Sequence, residues 1–235
     1  MATIVTMHQP NYLPWPGLFS KIKQSDLFVI TDTFELGTES LTNRNKIRTN
    51  TGWGYITIPI GRSIHGTRIC DITLPQESDW KKLHWTLIHH NYAKAKFFDL
   101  YQDFFRHLYE TDYKYLCHIN IDVIKYLLKC FNIEIPMLKA SDMDIDSSLQ
   151  KTDLMIALLK KAGADIYLSG PSGRNYLEIE KFSQNNIGLK FFKYSPPIYE
   201  QRFPGFETNM SAIDLLFNVG PQACEVITDS GEIED

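Results

Sequence analysis

The 235-residue chain is 43% hydrophobic and 13% aromatic against 22% charged, which suits one globular core, alone or with a subdomain, and argues against a disordered polymer. A formal net charge of −4 offers no basic field for nucleic acid. No apolar stretch is long enough to span a bilayer, and the first residues lack a basic leader or small-residue cleavage site, so the expectation is a cytoplasmic protein bound neither to membrane nor to nucleic acid.

In chain order, the apolar run Ile4-Val5-Thr6-Met7 opens onto His8-Gln9-Pro10-Asn11-Tyr12-Leu13-Pro14-Trp15-Pro16-Gly17 and then Leu18-Phe19-Ser20-Lys21-Ile22. This reads as strand, proline-stiffened loop and helix. Leu27-Phe28-Val29-Ile30-Thr31 follows as a buried strand ending at Asp32, and so short a crossover implies a parallel pair. Thr42-Asn43-Arg44-Asn45-Lys46 reads as a polar loop, with a β-ribbon formed by 54–59 and 68–72.

From Asp79 to Cys130 the apolar period turns helical, through Trp80, Leu83 and Leu87, then Leu100, Phe104 and Leu108, then Leu116, Ile119, Val123 and Leu127. A helical insertion at about 79–131 follows. Alternation then resumes: strand over 135–138, helix over 152–161, strand over 165–168, helix near 176–184, strand over 189–192. A last helix over 211–218 has Ser211 as N-cap and Gly220 just beyond its end. The pattern describes a three-layer Rossmann-like α/β domain over 1–228, with 229–235 as a disordered acidic tail.

Ligands of such sheets bind beyond the carboxyl ends of the strands, so the His8 loop and Ser169-Gly170-Pro171-Ser172-Gly173-Arg174-Asn175-Tyr176 are expected to frame one cleft. His8 is the candidate general acid or base and Asp32 its orienting partner, since an imidazole titrates near neutrality. Gln9, Asn11, Tyr12 and Trp15 supply hydrogen bonds and stacking faces. Ser169, Gly170, Gly173 and Arg174 can hold a phosphate or carboxylate through backbone N–H groups and one guanidinium, with Tyr176 alongside. Asn43, Arg44 and Asn45 form a second carboxylate-recognising group, because arginine binds bidentately. His89 reaches the cleft if its helix caps it, and Tyr199 and Gln201, on a stiff Pro196-Pro197 segment, form a further wall.

No metal is expected, because His84, His89 and His90 lack the His-Glu-x-x-His spacing. Cys70, Cys117, Cys130 and Cys224 lie scattered without Cys-x-x-Cys pairing and read as small apolar residues. No Gly-x-Ser-x-Gly elbow suggests a serine hydrolase.

These segments resemble the WbqC-like proteins of bacterial surface-polysaccharide gene clusters over nearly the whole chain. The likeness rests on 7–19, 26–32, 43–47, 164–170, Tyr176-Leu177, Tyr199-Glu200-Gln201 and 210–220. It implies an amide-forming transferase that attaches glycine or a similar acyl group to an O-antigen sugar, with a nucleotide-linked sugar as partner. The family carries a small or apolar residue at the position of His8, which shifts weight toward Gln9 and Asn43-Arg44-Asn45. A weaker likeness, to nucleotidylyltransferases (the HUP-type fold) and the pantothenate-synthetase kind of amide ligase, implies ATP. Their His-x-Gly-His loop survives here only as the glycine of Trp15-Pro16-Gly17-Leu18. The co-substrate, ATP or an acyl donor such as a thioester, stays open, as does oligomeric state. The alternative from another class is a non-catalytic glycan-precursor binding or scaffold protein.

Overall fold

The computed structural model of the chain describes residues 2–37, 40–61, 66–76 and 78–234. Strand β1 (Ile4–His8), helix α1 (Pro16–Lys23) and strand β2 (Leu27–Ile30) form the first β-α-β unit, followed by the hairpin β3 (Arg44–Thr49) and β4 (Gly52–Thr57). Helices α2 (Trp80–Tyr92), α3 (Phe98–Glu110) and α4 (Leu116–Cys130) occupy the stretch whose apolar period is helical. The chain then returns through β5 (Met137–Lys139), α5 (Lys151–Lys161), β6 (Ile166–Ser169), α6 (Ile179–Gln184), β7 (Gly188–Tyr194), α7 (Ala212–Val219), α8 (Ala223–Asp229) and β8 (Gly231–Glu234).

Six strands form one sheet in the order β5-β2-β1-β6-β7-β8, parallel except for antiparallel β8. Alternation along the strands separates two cores. Val5, Met7, Val29, Tyr167 and Phe191 pack with Met155, Leu159 and Phe182 from α5 and α6. Phe28 and Ile30 join Leu18, Phe19 and Ile22 of α1 and the insertion helices in the larger core. The result is a three-layer Rossmann-like α/β arrangement. Ser211 caps α7 by accepting the Ile213 N–H at 3.4 Å, and Gly220 follows at φ 68°.

Two expectations are corrected. The partner of β4 is β3, not 68–72. The polar stretch looked loop-like because Asn45 sits buried on the inner face where an apolar residue would have marked a strand. Residues 68–72 instead make an isolated bridge to Glu35 and a short 3-10 turn, Ile69–Asp71. The acidic tail is not frayed over 229–234: Asp229 ends α8, and β8 pairs with β7, where Lys193 meets Glu232 and Glu234 at 3.2 Å each. Asp235 lies outside the described residues.

Candidate functional site

From β1 the chain winds outward to β2 on one side, and from β6 outward to β7 on the other, so the order reverses between β1 and β6. Loops leaving the two strands there diverge and open a crevice. A cavity of about 380 Å3 occupies it. The end of β1 contributes Met7, His8 and Gln9, α1 and its cap contribute Trp15, Gly17 and Lys21, and the turn after β6 contributes Gly170, Pro171, Ser172 and Tyr176. Phe34, Met155, Tyr167 and Phe192 give the walls an apolar lining. A second cavity of about 720 Å3, over the ends of β2 and β5, shares Gln9 and Phe34 with the first. The opening loop and the Ser-Gly-Pro-Ser-Gly-Arg turn thus face one pocket.

Lys21 is the ionisable group at its base. Its side chain is buried, and Nζ donates to the Met7 carbonyl at 3.0 Å. Loss of water pushes its pKa down to about 7, so near neutrality an appreciable fraction is the free amine, a base and nucleophile. Burial lowers His8 to about 4, the Lys21 charge adding to it against an opposing bond to Gln9. His8 Nδ1 lies 2.9 Å from the Gln9 carbonyl, which can only accept, so the proton of the neutral ring resides on Nδ1 and Nε2 carries the lone pair. The cavity therefore pairs a neutral imidazole with an amine poised between its two protonation states.

The opening loop is fixed from several sides. Leu13 is held at φ 43°, a conformation that a branched side chain adopts only when its surroundings impose it. Asn45 Nδ2 donates to the Leu13 carbonyl at 2.7 Å, Asn120 Nδ2 donates to Pro10 and Thr42 at 2.7 Å each, and the Ala212 N–H donates to Pro14 at 2.7 Å. Tyr12 is fully buried, with its hydroxyl against Tyr109 and 2.8 Å from His84 Nδ1, while His84 Nε2 reaches the Thr57 carbonyl at 3.0 Å. Since that carbonyl must accept, the protons run from Tyr109 to Tyr12 to His84 Nδ1. Gly17 lies under the Trp15 ring, where a Cβ would come within 1.9 Å of Cζ3, so only glycine lets the indole fold over the start of α1.

Of the residues singled out from sequence, His8, Gln9, Trp15, Gly170 and Tyr176 line the cavity. Asn11, Tyr12 and Asn45 are buried and lie outside its walls, the latter two holding the loop. Asn43 donates to Ile58 at 3.0 Å, and Arg44 lies over Tyr55 on the outer hairpin face. Both oxygens of Asp32 accept from Ser141, the N–H at 2.9 Å and the hydroxyl at 2.6 Å, so Asp32 ties the end of β2 to the segment after β5 and does not orient His8. His89 meets the Trp85 ring at a tilt and the Phe98 ring edge-on, on helix α2. Tyr199 and Gln201 turn inward to Asp214 at 2.7 and 2.8 Å.

The turn after β6 also differs from an anion cradle. It is a 3-10 turn, Pro171–Asn175, in which the Gly173 N–H donates to Gly170 and those of Tyr176 and Leu177 donate back to Gly173. Ser169 Oγ bonds the Gly170 carbonyl at 3.1 Å and packs where a Gly173 Cβ would sit. Arg174 lies over the Phe191 ring at 3.9 Å and pairs with Glu234 at 3.5 Å. Those donors are therefore engaged within the fold.

Sequence reasoning passed over Lys21. The available signal was its position: with Leu18 and Ile22 it falls on the apolar stripe of α1, where an ionisable residue has no water. Among the described residues no cluster of three His, Cys, Asp or Glu side chains is placed to hold a metal ion, and no helix is long and apolar enough to cross a membrane.

The uncharacterized protein Rv1507c of Mycobacterium tuberculosis (strain ATCC 25618 / H37Rv) is 33% identical over 223 residues, covering 93% of this chain and 95% of its own length. No solved structure matches the chain. The description of the WbqC-like protein family matches residues 9–226, from the opening loop to α8. The chain belongs to the WbqC-like protein family.

Proposed function

We propose that the chain is a transferase that forms an amide on an amino sugar or sugar nucleotide, moving an acyl or glycyl group in bacterial surface-polysaccharide assembly. The observation that carries this reading is the buried Lys21 amine, held near pH 7 beside neutral His8 in the cavity between β1 and β6. Amide formation needs a base at that pH. The acceptor nitrogen attacks the acyl carbon, the N–C bond forms, and the proton shed by nitrogen passes to Lys21 Nζ. As the bond to the leaving group breaks, the Lys21 ammonium returns that proton to it. The two cavities, which share Gln9 and Phe34 in their walls, suit donor and acceptor.

An acyl donor activated beforehand, such as a thioester, fits better than ATP. Among the described residues the smaller cavity offers one ammonium and apolar walls, the larger one offers Lys151 and an Arg68 guanidinium already paired with Asp71, and the Arg174 turn is engaged elsewhere, which is a thin set of cations for a triphosphate. Incubating the protein with amino-sugar nucleotides and glycyl or acetyl thioesters, and in parallel with glycine and ATP, tests this by product mass. The expected result is an acylated sugar with a thioester donor and none with Lys21→Met. Tight sugar-nucleotide binding without any mass change from every donor would instead establish a binding protein.

A further inference from the structure

The outer face of the β3-β4 hairpin carries a group of side chains that the cleft does not use. In the hairpin register Lys46 lies opposite Tyr55 and Arg48 opposite Trp53, while Ile47 and Ile56 belong to the buried face. Arg48 is drawn inward to the carbonyls of Thr49 and Pro204 at 2.6 Å each, leaving Arg44, Lys46, Trp53 and Tyr55 outside. The two rings meet edge to face at 5.4 Å and are 44% and 46% exposed. Lys46 Nζ lies 4.0 Å from the Trp53 ring centre, and the Arg44 guanidinium 4.8 Å from that of Tyr55. Among the described residues neither cation has an acidic partner, and buried Arg44 Nε donates to nothing.

Unpaired cations are conspicuous on a chain of net charge −4, and two adjacent half-exposed rings offer a stacking surface that a core would have covered. We propose that this face binds a glycan bearing carboxylates. Sugar C–H faces pack on Trp53 and Tyr55, and the carboxylates take Arg44, which accepts them bidentately, and Lys46. Single-stranded nucleic acid fits less well, because it needs a basic groove tracking the phosphates for several nucleotides, and here two cations stand on an acidic protein. The proposal rests on the hairpin alone and not on chemistry in the cleft.

Calorimetric titration of the full chain with tetragalacturonate, with maltotetraose as the neutral probe and octathymidylate as the nucleic-acid probe, tests it. Tetragalacturonate should bind about tenfold more tightly than maltotetraose and weaken as salt rises. The R44Q/K46Q variant should remove that difference, and Trp53→Ala with Tyr55→Ala should lower affinity for both sugars by about tenfold or more, with unchanged thermal melting. Lys21→Met should leave tetragalacturonate affinity unchanged, which separates this result from any failure of the transfer reaction. Absence of saturable tetragalacturonate binding to roughly 10 mM, binding indifferent to all four substitutions, or tighter binding of octathymidylate through the same residues would overturn it.

Discussion

Lys21 and His8 set what the cleft can do, because burial lowers both pKa values and moves the useful base from the imidazole to the amine. Lys21→Met should lower turnover by about a hundredfold or more in the product-mass assay. It should also stabilise the fold. With a folded pKa of about 7, below the unfolded value of about 10.4, the native state binds fewer protons between those limits, so stability rises with pH across that window and the full penalty remains below pH 7. Urea unfolding at pH 6 should show the variant more stable, with an upper limit of about 5 kcal/mol. His8 and His84, both near 4 in the folded state, act in the same direction lower down: stability falls as pH drops from about 6.5 to 4. Replacing both by Asn should flatten that slope in the same measurement.

The site was legible in sequence where polar residues stand at the carboxyl end of a strand, as His8 and Gln9 do. It was illegible where polarity serves the fold. Asn45, Tyr12 and Asp32 look like recognition groups, yet each meets the demand that a buried backbone or hydroxyl group be hydrogen-bonded. Spacing along a chain does not distinguish an amide that clamps a loop from one that binds a ligand.

Among the elements, the opening loop carries the most structural consequence. Asn45 holds Leu13 in its left-handed conformation, so Asn45→Ala should cost about 1–3 kcal/mol in chemical denaturation and weaken substrate binding through Trp15. Gly17→Ala forces the Trp15 indole off α1, and the resulting change should appear as altered tryptophan fluorescence and a raised KM, with stability much less affected. Helices and parallel strands were readable because their apolar periods are long and unbroken, as in α4 and β2. The hairpin partner and β8 were not. One carries polar residues on both faces, and the other is acidic because it is an edge strand whose charges pair with Lys193.

For the whole molecule, topology places the candidate site: the reversal of strand order between β1 and β6 opens the crevice, and α1 delivers Lys21 into it from the layer behind the sheet. The 380 and 720 Å3 cavities share Gln9 and Phe34 in their walls, and the proposed transfer would set donor and acceptor on either side of those two residues. All of this depends on the state of one amine. Heteronuclear NMR titration of the lysine side chains, with the Lys21 signal assigned by its loss in Lys21→Met, measures that state directly. The account predicts a midpoint of about 7, and a Lys21 midpoint at the ordinary lysine value, about 10.4, would contradict it.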